Sequence, residues 1–93
     1  MTTFEVGETV ICSITVRDED GDLQDAATSM KITIDRLTNY SNVIAATNMT
    51  NDSTGTYHYD FDTSGKRVGD YQITYTAVDG TRTTIHLDTF ILV

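Results

Sequence analysis

The sequence predicts an all-β chain folded as two antiparallel sheets packed face to face, and three observations carry that prediction. Residues 55–62 read Gly-Thr-Tyr-His-Tyr-Asp-Phe-Asp, which puts Tyr57, Tyr59 and Phe61 on one side and Thr56, His58, Asp60 and Asp62 on the other, because successive side chains of a β-strand face opposite sides. Three aromatic rings on one face need a second layer to cover them. The same two-residue alternation recurs in most of the other apolar segments, and no segment of useful length repeats at helical spacing. Between the segments stand clusters of Gly, Asn, Asp and Ser, which supply turn conformations.

The first strand is expected over residues 9–17, with Val10, Cys12, Ile14 and Val16 inward and β-branched residues throughout. Asp18-Glu19-Asp20-Gly21-Asp22 ends it as an acidic turn in which Gly21 is free to take positive φ. Residues 23–29 are irregular, with room for one helical turn through Asp25, Ala26 and Ala27. Met30, Ile32 and Ile34 alternate with Lys31, Thr33 and Asp35 in a second strand, and Leu37 breaks the parity, so that strand ends or bulges near Arg36. Residues 38–42 carry turn chemistry. Residues 43–50 are apolar but weakly patterned and read as one or two short strands, followed by a polar turn over 51–55 and then the aromatic strand. After the loop at 63–66, Tyr71, Ile73, Tyr75 and Ala77 form an inward face. Asp79-Gly80 is a two-residue hairpin signal of type I′. Residues 81–86 return, with Ile85 and Leu87 inward and His86 outward. Phe90 and Leu92 fall on the opposite parity, so a bulge is expected near Asp88 and Thr89.

About seven short strands, separated by turns at intervals of roughly 8 to 14 residues, fit an immunoglobulin-like two-sheet antiparallel β-sandwich, with a small barrel as the other arrangement. The chain has 93 residues, which is the size of one domain spanning 1–93. Antibody domains hold their core with a disulfide and a Trp; with one Cys and no Trp, this chain would be a disulfide-free relative.

Composition narrows the function. Fourteen acidic against six basic side chains give a net charge of −8, a field that repels nucleic-acid phosphates and anionic membrane surfaces. The abundance of Asp and Thr and the presence of only two Lys fit Thr-rich exposed strand faces, and adaptation to high salt would leave the same mark. Cys12 shares the parity of Val10 and Ile14, as a small core side chain does. No apolar window of about 18 residues is present to span a membrane. Residue 1 is Met, and the opening segment has neither a basic residue nor a signal-like apolar run, so synthesis in and release into a cytoplasm is expected.

Little in the sequence points to reaction chemistry. Asp18, Asp20 and Asp22, with Asp25 nearby, could offer oxygens to Ca²⁺, but the turn lacks the spacing of an EF-hand loop and a solvated turn is the simpler reading. His58 and His86 are the only histidines, short of the three or four ligands of a zinc site. Neither a Gly-x-Ser-x-Gly elbow, a Cys/His pattern nor a Gly-rich phosphate loop is present, so neither an enzyme nor a cofactor is expected. The acceptor patterns at Asn39, Asn48 and Asn51 for glycosylation signify polar loops in a Thr-rich chain. Tyr40 is the one loop tyrosine, thin support for a carbohydrate platform.

Three stretches taken together carry a resemblance: Phe4-Glu5-Val6-Gly7-Glu8-Thr9-Val10, the acidic turn at 18–22, and Asp52-Ser53-Thr54-Gly55-Thr56-Tyr57-His58-Tyr59-Asp60. With the close Phe90-Ile91-Leu92-Val93, they resemble short immunoglobulin-like proteins encoded among the structural genes of tailed bacteriophages and related prokaryotic viruses. The middle, residues 37–51, departs from that pattern by lacking a D-P-S-G turn. The resemblance implies a virion component made in a host cytoplasm: a capsid decoration protein, or a part of the neck or tail, whose partner is a capsid or neck protein. Decoration proteins of this kind dock by edge strands and loops and can homo-oligomerise, so weak contacts act together. The segment 1–6, with Thr2, Thr3 and Phe4, and the last strand, with Phe90 and Leu92, are the docking candidates. Similar patterns occur in bacterial surface repeats, so a prokaryotic cell-surface or adhesin-like binding module is the alternative.

Overall fold

A computed structural model describes residues 2–93; Met1, the start of the segment expected to dock, lies outside the described residues. Eight strands follow one another: β1 (Thr2–Phe4), β2 (Thr9–Thr15), β3 (Ser29–Arg36), β4 (Ser41–Asn48), β5 (Thr50–Ser53), β6 (Thr56–Asp62), β7 (Gly69–Asp79) and β8 (Arg82–Leu92). They form a five-stranded sheet in the order β1-β8-β7-β3-β4 and a three-stranded sheet in the order β2-β6-β5. The chain is thus all-β in two sheets. About seven strands were expected from the alternation; eight are present among the described residues, because β1 and β5 are separate short elements.

The core forms where the predicted inward faces meet. β2 contributes Val10 and Cys12, β3 contributes Met30, Ile32 and Ile34, and β7 contributes Tyr71, Ile73 and Tyr75, all buried. The aromatic strand is β6. Its Tyr57 and Phe61 are buried and Tyr59 packs partly buried against them, while Cys12 lies opposite Tyr59 in the β2–β6 ladder. At one end of the sandwich Phe90 stacks on Tyr71 with ring centroids 5.1 Å apart, and Phe4 meets Phe90 edge-on at 5.9 Å. Rings buried this fully stabilise by roughly 1.5–3 kcal/mol each.

The weakly patterned middle has a simple cause. β4 pairs with β3 in the larger sheet and β5 pairs with β6 in the smaller one, so the chain changes sheets at Met49, a buried residue whose N–H donates to the Met30 carbonyl. A strand pair that switches layers in one residue cannot keep a single alternation. Residues 51–53, expected as a turn, belong to β5.

Four expectations change against the structure. No helical turn forms over residues 25–27; instead Asp25 Oδ1 accepts the Gly55 N–H at 2.6 Å and pins the connection to the β5–β6 turn. The pairing is not wholly antiparallel, since β1 runs parallel to β8 with Thr2 opposite Phe90 and Phe4 opposite Leu92. The β7–β8 hairpin turns on Gly80 and Thr81, with Asp79 opposite Arg82. Of these two only Gly80 has positive φ, at 61°, which is the glycine-first geometry of a type II′ turn rather than I′. Finally, β8 carries no bulge at Asp88 and Thr89. It pairs residue for residue with β7 from Gly69↔Leu92 to Asp79↔Arg82, and this decides which side chains of β8 face out.

Candidate docking surface

Unbroken pairing extends the parity of Phe90 and Leu92 back along the whole of β8. Phe90 and Leu92 face inward and are buried, so Asp88, His86 and Thr84 also lie on the inward side, opposite Ile73, Tyr75 and Ala77. Ile85 and Leu87 therefore face out, with 61% and 55% of their surface exposed. Both assignments reverse the sequence expectation for Ile85, Leu87 and His86. The bulge expected at Asp88 and Thr89 would hold Ile85 and Leu87 in the core; unbroken pairing with β7 carries the Phe90 parity to them and turns them out.

The strand edges are as informative as the faces. β8 has β7 on one flank and, on the other, only β1, which covers residues 90–92. Val93 donates its N–H to the Phe4 carbonyl and accepts from the Val6 N–H, which fixes the direction of its backbone groups toward the β1 flank. Alternation along the strand then turns the N–H and C=O groups of Thr83, Ile85, Leu87 and Thr89 to the same flank. Beyond the reach of β1, that flank has no strand partner among the described residues. β2 is likewise at the margin of its sheet, with Ile11 66% exposed.

Between these two free margins the sandwich is unfilled. A cleft of about 450 Å³ opens there, lined among others by Ile14, Val16, Met30, Tyr75, His86 and Asp88. Tyr75 is 97% buried, being 3% exposed, and among the described residues its hydroxyl has no side-chain or backbone partner, unlike Tyr57 and Tyr71, whose hydroxyls bond Ala26 and Arg67. Burial, then the neighbouring Cys12 and Asp88, push the Tyr75 phenol above its ordinary range. Burial first, with Asp88 and Asp60, pushes the Cys12 thiol up to about 12, so Cys12 is an inert core side chain, as its parity indicates.

The docking candidates separate by burial. Thr2 and Thr3 are exposed on β1, and Thr3 lies on the outermost strand of its sheet. Phe4 is half-buried against Phe90, and Phe90 and Leu92 are 2% and 1% exposed, so the latter two are core side chains out of reach of any partner. Tyr40 is 87% exposed at the β3–β4 turn and holds a left-handed backbone, φ 54°.

The acidic turn is organised around its own backbone. Asp18 Oδ1 accepts the N–H groups of Asp20 and Asp22, both at 2.9 Å, and Arg17 donates to the Gly21 carbonyl. One oxygen of the Asp18 carboxylate is thereby taken up by the loop's own amides. Among the described residues no three His, Cys, Asp or Glu side chains converge to hold a metal ion. His58 stands outward and meets Asp52 at 2.7 Å; His86 is on the other sheet. Among the described residues no helix is long and apolar enough to cross a membrane.

Comparison of the chain with known protein families, curated proteins and solved structures finds no match.

Proposed function

We propose that this protein is a non-enzymatic virion structural protein, an immunoglobulin-like capsid decoration component that docks on the particle surface through the outer face of its β1–β8 edge strands. The observation that supports the reading most is the pair Ile85 and Leu87, exposed side by side on an outer sheet face next to an unpaired strand margin. Exposed apolar side chains grouped beside unsatisfied backbone mark contact surfaces rather than solvent faces. Thr2 and Thr3 extend the same margin. Symmetric repetition on a particle multiplies such modest contacts, and a net charge of −8 keeps the domain apart from packaged nucleic acid.

The test is copurification. The protein should band with purified particles, and the Ile85→Lys, Leu87→Lys double variant should be released while keeping its folded circular dichroism. Absence of the wild-type protein from particles overturns the reading. A second reading, a cell-surface or adhesin-like module of a prokaryote, draws on Tyr40, the most exposed of the large apolar side chains, since exposed tyrosines anchor many binding interfaces. Gene neighbours separate the two: capsid and portal genes favour the first, secretion and anchoring sequences the second.

A further inference from the structure

We infer that the free margin of β8 is a self-complementary interface, and that its occupant is a second copy of this chain paired antiparallel about Ile85. The inference does not rest on the virion reading, because it concerns the isolated protein.

Geometry allows few registers. The groups directed at the free flank belong to the odd-numbered residues Thr83, Ile85, Leu87 and Thr89, so an antiparallel partner must pair odd with odd. Phe90 is already opposite Thr2, which blocks a partner from passing residue 89. With Ile85 opposite Ile85 of the second copy, Thr83 meets Leu87, and the partner's Gly80–Thr81 turn ends where β1 begins. Three pairs then exchange about six backbone hydrogen bonds. Centring on His86 or Leu87 instead would push the partner's Arg82 or Thr84 onto the position that Thr2 occupies.

Charge selects the same register. Asp88 lies on the inward face of an exposed margin, and inward-pointing charges ordinarily guard such margins against pairing. Centring on Ile85 places Arg82 of each copy opposite Asp88 of the other, twice per dimer, on that inward face. Among the described residues neither Arg82 nor Asp88 has a salt-bridge partner within its own chain. No like charges stand opposite one another: His86 meets Thr84. On the outer face Ile85 and Leu87 of both copies come together in one apolar strip, and the two larger sheets join into one.

Light scattering of the purified protein over a concentration series tests this. The wild type should move from monomer to dimer mass. Arg82→Asp and Asp88→Arg should each weaken dimerisation about tenfold or more by setting like charges opposite, and the double variant, whose net charge equals the wild type's, should restore it. Amide exchange at Ile85 and Leu87 should slow on dimerisation in the wild type and the double variant, whereas the amides of Thr84 and His86, bonded to β7, stay slow throughout. A wild type that remains monomeric at every concentration overturns the inference. So does a double variant no tighter than the single ones, or single variants that dimerise as well as the wild type. Particle binding can fail while dimerisation holds, and the reverse, so the two proposals fall separately.

Discussion

His86 stands directly opposite Tyr75 in the β7–β8 ladder, with ring centroids 5.9 Å apart. The imidazole thus flanks a buried phenol at the mouth of the cleft, and Asp88 sits one inward position further along β8. Cys12 adjoins this corner, and burial holds both its thiol and the Tyr75 phenol in their protonated forms.

Alkaline pH should therefore destabilise the fold. Cys12 rises from 9.0 to about 12, and Tyr75 rises above its ordinary 10.0, both chiefly through burial. In the folded state each keeps a proton that the unfolded chain releases. The stabilisation is complete below pH 9.0 and is lost as the pH climbs toward the folded Cys12 value of about 12. One group changes stability by at most about 1.4 kcal/mol per pH unit. Urea midpoints at about pH 8 and about pH 10.5 should fall for the wild type and fall less for Cys12→Ala. Equal falls would remove Cys12 from the account.

The parity of β8 predicts a sharp contrast along one strand. At concentrations where the protein is monomeric, Ile85→Thr and Leu87→Thr should change stability by no more than about 0.5 kcal/mol, because both side chains are then in water. Phe90→Ala, which empties a site packed by Tyr71, Phe61 and Phe4, should cost about 3–5 kcal/mol. Denaturation of the three variants checks the assignment, and a large loss at Leu87 would contradict it.

Gly55 should tolerate no side chain. Its φ is +74°, and a Cβ there would lie 2.7 Å from the Val16 carbonyl oxygen and 2.9 Å from the Gln24 nitrogen, both rigid backbone atoms. Left-handed strain alone costs about 1–2 kcal/mol, and displacing the two neighbours adds to it, so Gly55→Ala should lose roughly 2–4 kcal/mol. Thermal unfolding measures this directly; a loss below about 1 kcal/mol would mean the turn relaxes freely.

Two acidic residues of one loop region should behave differently. Asp25 accepts from the Gly55 N–H and from Asn51 Nδ2, so Asp25→Ala should cost about 1.5–3 kcal/mol. The Asp22 carboxylate makes no hydrogen bond among the described residues, and Asp22→Ala should stay within about 0.5 kcal/mol of the wild type. Similar losses in both would point to a shared role of the carboxylates, which calorimetry with Ca²⁺ would then resolve.

Residues 30–36, 55–62 and 71–77 were legible because each is covered on one face only, and that is the condition under which alternation encodes a strand. β4 and β5 were obscure because Met49 transfers the chain between sheets, and β1 because three residues are too few to show a period. The error on β8 is the instructive one. Ile85 and Leu87 alternate with polar neighbours as a covered face does, and only a bulge at Asp88 and Thr89 would turn them inward; the ladder is continuous and leaves them on the outer face. Hydrophobicity marks what avoids water, and a surface built for contact looks the same as a core until the opposite layer is located. The corner at Tyr75, His86 and Asp88 depends on pairing between distant segments, which spacing along the chain does not reveal.

The parallel strand β1 is a latch. β1 joins the sheet through only three residues of pairing with β8, Thr2–Phe4 against Phe90–Leu92, so few backbone bonds hold it in place. Such an element seats late and peels first. Each time it lifts, Ile91 adds its backbone groups to those already open at Thr83 through Thr89, and one side of Phe90 loses the ring of Phe4. The length of sticky margin offered by β8 is consequently a variable set by β1: closed, it admits a partner only as far as residue 89; open, it lengthens toward the C-terminal end and frees other registers. Strengthening or trimming those first residues would therefore regulate assembly without touching a single residue of the interface.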